Sequence, residues 1–221
     1  MPKPTPYLPS IDEVVRMAPE LNAWAEMAAR AFGLYEGINE AIKMARDKDG
    51  SVAHYADEIR QQMILMALIR SFALMDRGSK VSLQSAYQFL LMPDSFQLIA
   101  RRYADSEPKS SFYGAMPVCQ SAISRFLEAY RSVDFAGFQR IQSFRNSGIA
   151  HVSWPDAEKA KVTFSDVEKL VLGCCEMAGQ LTLMTSARND WPIEHLEEAR
   201  STSYRLWLAT ITAQSNGMLD L

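Results

Sequence analysis

Arg145, Asn146 and His151 fall within seven residues of one another in the stretch Ser143–Pro155, SFRNSGIAHVSWP. An arginine stays charged at any physiological pH and forks onto phosphate oxygens. A histidine titrates near neutrality and can give or take a proton during a reaction. An asparagine amide can hold a ribose or phosphate oxygen. Together these side chains could bind a phosphate and move a proton. Gly148 lies inside the stretch, where it weakens a helix by about 1 kcal/mol and signals distortion or close backbone approach. The alternative at this point is an ordinary helix end, with Arg145 on a polar face and His151 in the last turn, where a cation suits the helix dipole.

The surrounding residues add positive charge. Between Ser121 and His151 there are four arginines (Arg125, Arg131, Arg140 and Arg145) against two acids, Glu128 and Asp134. The chain as a whole carries a net charge of −3, so there is no global pull toward a polyanion. A local basic stripe is expected instead, with Arg125, Arg131 and Arg140 as candidate contacts for a polyanion such as RNA.

Other chemistries find little support. His54, His151 and His195 are far apart in sequence, and none forms an H-E-x-x-H pair. Nor does any carboxylate–histidine repeat of the kind a bundle metal site needs occur, so no metal is expected. No phosphate-cradling G-x-x-x-x-G-K-[ST] or G-x-G-x-x-G motif and no G-x-S-x-G elbow is present, and no cofactor is expected. His54, near a helix start, reads as a surface or capping residue. His195, in the acidic turn EHLEE, reads as solvated. Cys119, Cys174 and Cys175 make neither a disulfide framework nor a zinc set; they read as small apolar core residues in a reducing cytoplasm. Met63, Met66 and Met75 read as a flexible filling of a core or dimer face.

The elements that must position the motif read as helix after helix. The first ten residues, MPKPTPYLPS, form a proline-rich tail without the apolar run of a signal peptide. A single helical domain is expected over 11–221. Ser10–Glu13 has capping-box spacing, and Pro19 is expected to interrupt the helix that follows. That run should reach about Lys48 and stop at Asp49-Gly50. A second helix is predicted over Val52–Arg77, closed by Gly78 as a C′ glycine. A third is predicted over Ser82–Leu91, and a fourth should be capped by Asp94 and reach Asp105. Ser106–Met116 reads as a loop, and Pro117 should open a helix to Ser132. Asp134 should cap the helix carrying the motif. Lys161–Phe164, KVTF, is the best strand candidate. Ser165–Glu168 repeats the capping-box spacing and should start a helix to Arg188, and Pro192 should start the last one, to Gln214. No window is long and apolar enough to cross a membrane. The fold class expected is all-α, an up-and-down helical bundle with additional helices.

The order of residues in Arg145–His151, RNSGIAH, resembles the arginine–polar–x–histidine signature of the HEPN superfamily. It is most similar to the HEPN proteins related to U-type phage abortive-infection factors. In those, Asp or Asn follows the arginine and alanine precedes the histidine, as Asn146 and Ala150 do here. Ile69–Leu83, IRSFALMDRGSKVSL, resembles the same group: an arginine, an apolar stretch, a D-R pair and a serine-led helix. Two positions depart from the pattern. Ser147 stands where the family often has lysine, and Ser153 stands where some members carry a modifiable tyrosine. The resemblance implies a four-helix core that dimerises and a metal-independent endoribonuclease site at the protomer boundary. Arg145 and His151 would be catalytic there, with Asn146 supporting them. It also implies a cytoplasmic toxin or phage-defence effector, RNA as substrate and an antitoxin as a further partner. A non-catalytic module binding RNA, a nucleotide or a protein is the alternative.

Geometry constrains this site. Six steps along an ideal helix leave two side chains about 120° apart around the axis and about 9 Å apart along it. A straight helix therefore does not stack Arg145 over His151. Gly148 could loosen the turn, or a two-fold axis could bring Arg145 of one chain to His151 of another.

Overall fold

Ser10 starts the first helix by the expected reciprocal bonds. Its hydroxyl accepts from the Glu13 N–H at 3.3 Å, and the Glu13 carboxylate accepts from the Ser10 N–H at 2.8 Å. A hydrogen bond from the Tyr7 hydroxyl, then those from Ser10, hold the Glu13 carboxyl down to about 2. The computed structural model describes residues 7–45, 50–107, 110–144 and 161–216, and among these every regular element is a helix. They are α1 (Ile11–Met44), α2 (Ser51–Leu74), α3 (Leu83–Leu90), α4 (Ser95–Ser106), α5 (Phe112–Ser132), α6 (Phe135–Phe144), α7 (Phe164–Ser186) and α8 (Pro192–Ser215). The protein is an all-helical bundle.

The expected breaks shift wherever burial or a cap outweighs a single residue's preference. Pro19 lies inside α1 without ending it. The proline is exposed, so water can reach the carbonyl that loses its partner, while Val14, Met17, Ala18 and Leu21 are buried on either side. Pro117 likewise lies inside α5, which begins earlier because the Ser111 hydroxyl accepts from the Gly114 N–H at 3.1 Å. The loop expected over Ser106–Met116 is correspondingly shorter. α2 stops at Leu74 rather than Arg77; Gly78 sits in a following turn, where its N–H donates to Asp76 Oδ1 at 2.9 Å. Asp94 is the N-cap of α4 but makes no side-chain cap bond. Ser95 fixes that corner instead, donating its hydroxyl to the carbonyls of Met92 at 2.7 Å and Leu90 at 3.1 Å.

The segment expected as a strand, Lys161–Phe164, is the lead-in to α7. Thr163 caps that helix. Its hydroxyl accepts from the Asp166 N–H at 3.2 Å, and the Asp166 carboxylate accepts from the Thr163 N–H at 2.9 Å. The capping box therefore starts two residues before the Ser165–Glu168 box read from sequence. Threonine and valine suit a strand, but Asp166 offers the chain end two local bonds that an unpartnered strand lacks.

α7 is the centre of the bundle. It packs against α1, α2, α4, α5, α6 and α8, and most of its residues from Leu170 to Thr185 are buried. Cys174 and Cys175 are buried in it, and Cys119 is buried on α5, as expected for small apolar residues. Burial pushes the Cys119 thiol up to about 11 and the Cys175 thiol up to about 12, so neither is a thiolate near neutrality. α1 lies between α2 and α8. A smaller apolar cluster of Ile38, Ala45, Val52, Ala56 and Ile211 ties their ends together. Met75 is buried in the main core, Met63 packs on the smaller cluster, and Met66 is 40 % exposed.

Candidate functional site

Arg145, Asn146 and His151 lie outside the described residues. What the structure gives is the frame on both sides of them. α6 delivers the chain at Phe144, and Lys161–Thr163 carries it into α7. Both ends line one cavity of about 400 Å³, together with Tyr35 of α1 and Arg60, Gln61 and Leu65 of α2. Phe144 and Lys161, on either side of residues 145–160, therefore lie at the same place in the fold.

That cavity has an aromatic floor and a fixed cation. The Phe164 ring stacks on Tyr35 with centroids 4.8 Å apart, and the Arg60 guanidinium lies 5.7 Å from the Tyr35 centroid. Arg60 is held by its neighbours: its Nε donates to Asp57 Oδ1 at 2.9 Å and its Nη1 to Asn39 Oδ1 at 3.0 Å. Burial alone would raise the Asp57 carboxyl. Hydrogen bonds from Gln61 and Arg60 outweigh it and hold the group below its ordinary value. Burial raises the Tyr35 phenol against the pull of Arg60. The arrangement can take a planar, partly apolar group against the rings, next to a guanidinium of fixed direction. Tyr35, Arg60 and Phe164 had no signal in the sequence, because they come from three helices and form no local motif.

The basic stripe is rearranged in the fold. Arg140 forks onto Asp166, with Nε 3.2 Å from Oδ2 and Nη2 2.6 Å from Oδ1, and Asp134 stands 3.7 Å away. Its charge is balanced by carboxylates from α7 and from the start of α6, so it acts as a clamp between helices and not as a free phosphate contact. Gly137 makes this possible, since a Cβ there would lie 3.0 Å from both Asp134 Oδ2 and Asp166 Oδ1. Asp134 caps α6 as expected, accepting from the N–H groups of Ala136 and Gly137 at 3.0 Å each. Arg125 and Arg131 are exposed on α5, but six helical steps point them about 120° apart. A threonine three residues before Asp166 was the available signal for the cap; nothing local pointed to Arg140 as its second partner.

The clamp predicts an acid sensitivity. Burial tends to raise Asp166, but the Arg140 fork and the two bonds to Thr163 prevail and lower it. A carboxyl depressed in the folded state stabilises the fold above its unfolded value, and that contribution is lost as pH falls through the folded value. Asp166→Asn is expected to lower stability by about 2 kcal/mol at pH 7 and to flatten the loss of stability below about pH 4. Urea unfolding of both proteins at pH 7 and below pH 4 measures this. An unchanged pH profile in the variant would remove Asp166 from the acid response.

His54 is exposed, as expected. His195 is not simply solvated. Arg30 Nη2 stands 3.0 Å from its Nδ1, with Glu26 Oε1 3.7 Å from Nε2. Arginine can only donate, so Nδ1 is the acceptor in this contact. This group joins α8 to α1 at the surface. Among the described residues no three His, Cys, Asp or Glu side chains are placed to hold a metal ion, and no helix is long and apolar enough to cross a membrane.

Comparison with protein-family models, with curated proteins and with solved structures finds no match to this chain.

Proposed function

We propose that this chain is a metal-independent endoribonuclease of the HEPN type, working as a homodimeric toxin or phage-defence effector. The observation that carries the reading is the run Arg145–Asn146…Ala150–His151 in a chain that folds as a helical bundle. Supporting it, both ends of the motif segment border one cavity that already presents Arg60 and stacked rings. Arg145 would neutralise the phosphoryl oxygens, His151 would move the proton, and Asn146 would hold a ribose or phosphate oxygen. The products would be a 2′,3′-cyclic phosphate and a 5′-hydroxyl. Incubation of purified protein with RNA in EDTA tests the reading through the chemistry of the new ends. Intact RNA after long incubation would end it.

One observation favours a second reading, a non-catalytic binding module. Arg140 is committed to Asp166, Arg60 to Asp57, and much of the described cavity wall is apolar: Ile64, Leu68, Val162 and Val167. Expression in cells separates the two. A toxin arrests growth and His151→Ala relieves the arrest, whereas a binding module does neither.

A further inference from the structure

A second cavity, of about 250 Å³, lies between the end of α2 and α6 and shares no described lining residue with the one beside the motif segment. Its size is just below the roughly 300 Å³ at which pockets for whole small molecules begin, so it suits a single ring system. Three phenylalanines wall it. Phe72 and Phe138 are parallel to within 2°, with centroids 4.9 Å apart. Phe135 lies under the Arg77 guanidinium, 5.7 Å from its ring centroid. Such walls suit a flat, partly apolar group.

Two opposite charges line the same cavity without being matched. Arg77 donates to the Tyr130 hydroxyl, which is itself fixed by donating to Gln84 Oε1. Asp76 Oδ1 accepts from the Gly78 N–H at 2.9 Å. Among the described residues neither Asp76 nor Arg77 makes an ion pair, whereas Arg60 and Arg140 both meet carboxylates. Gln139 and Gln142 complete the rim from α6. Their amides turn to present a donor or an acceptor, so they do not select a ligand. The fixed charges do.

A guanidinium takes two neighbouring acceptors, and a carboxylate takes two neighbouring donors. A basic side chain in this cavity would be repelled by Arg77, and an acidic one by Asp76. Among the nucleic-acid bases, guanine alone carries both pairs on adjoining edges: O6 with N7 as acceptors, and N1–H with the 2-amino group as donors. Adenine puts its 6-amino group where Arg77 needs an acceptor. Neither pyrimidine has the pair of donors, and both offer a smaller face to the rings.

We propose that this cavity binds a guanine base, with Arg77 on O6 and N7 and Asp76 on N1–H and the 2-amino group. The base comes from a free guanine nucleotide or from an RNA strand. Gln142 stands two residues before the end of α6 at Phe144, about 3 Å along the axis, so a guanine held in a strand would lie near the start of the motif segment. Binding needs none of Arg145, Asn146 or His151, so the site stands apart from the cleavage reading.

Calorimetry of the full-length chain with GMP, AMP, CMP and UMP tests the base. Short 2′-O-methyl adenosine oligomers, with and without one guanosine, test the strand; the methyl group blocks the 2′-oxygen, so no cleavage intervenes. Guanine should bind at least about tenfold more tightly than the other bases. A guanosine oligomer that binds more tightly than GMP names RNA as the source, and the reverse names the free nucleotide. Arg77→Ala should abolish the preference with the helical circular dichroism unchanged. Asp76→Asn should reverse it. The asparagine amide keeps an oxygen for Gly78 and donates where the carboxylate accepted. The variant should therefore prefer XMP, whose xanthine has a carbonyl in place of the 2-amino group, to GMP by about tenfold. No preference for guanine in either set of probes, or a preference that survives both substitutions, would overturn the site. None of these readouts depends on cleavage, so a failed RNA assay and a failed guanine site are separately visible.

Discussion

Alanine at His151 is expected to slow RNA cleavage in EDTA by about 10²–10⁴-fold, the usual contribution of one general acid or base. Arg145→Ala should cost at least about 10²-fold, as loss of a charged donor aimed at developing negative charge does. Arg145→Lys should recover little, because an ammonium cannot fork onto two phosphate oxygens. Asn146→Ala should have a smaller effect, since it supports the substrate and moves no proton. Cleavage rates equal to the unmodified protein in both alanine variants would remove the motif from the chemistry. The helical spacing adds a sharper measurement. If Arg145 of one chain works with His151 of the other, mixing the two inactive variants rebuilds one complete site in each mixed dimer. About a quarter of the original activity should then return. If both residues of a single chain make the site, the mixture stays inactive.

Local signals carried the helical class and most helix starts, because caps and turns are short-range. Ser10 with Glu13, Ser82, Asp134 and Pro192 all act at helix starts where the residue order put them. The failures are cases in which a distant partner decided the outcome. Pro19 was expected to break α1, but the buried residues on either side continue the helix. Lys161–Phe164 looked like a strand until Asp166 supplied the cap and Phe164 found Tyr35 and Phe32. Arg140 looked like a free cation because its main partner, Asp166, is 26 residues away. For the candidate site the same division holds. Arg145, Asn146 and His151 were legible as residue types, since a motif is local. The floor of Tyr35 and Phe164 with Arg60 beside it was not, since it is assembled from α1, α7 and α2.

The contact most dependent on distant residues carries the largest expected effect on stability. Gly33 and Gly37 sit one turn apart on α1 and face α8. A Cβ at Gly33 would lie 2.2 Å from the Leu196 carbonyl oxygen, and one at Gly37 would lie 2.3 Å from that of Arg200 and 2.8 Å from the Tyr204 nitrogen. These are backbone atoms of a helix and cannot rotate away as a side chain can. The helices would have to separate, opening the Ile38–Ile211 cluster and the bond from the Ser203 hydroxyl to the Leu34 carbonyl. Gly33→Ala and Gly37→Ala are each expected to lower stability by about 3 kcal/mol, or about 10 °C in Tm for a chain of this size. Gly173 on α7 provides the control, because a Cβ there meets only Val133 Cγ2, at 3.9 Å. In that open place alanine's better helix propensity governs, and Gly173→Ala should raise stability by about 0.5–1 kcal/mol. Urea and thermal unfolding of the three variants measure opposite signs for the same chemical change. A loss at Gly173 equal to that at Gly37 would show that the close approach of α1 to α8 does not set the outcome.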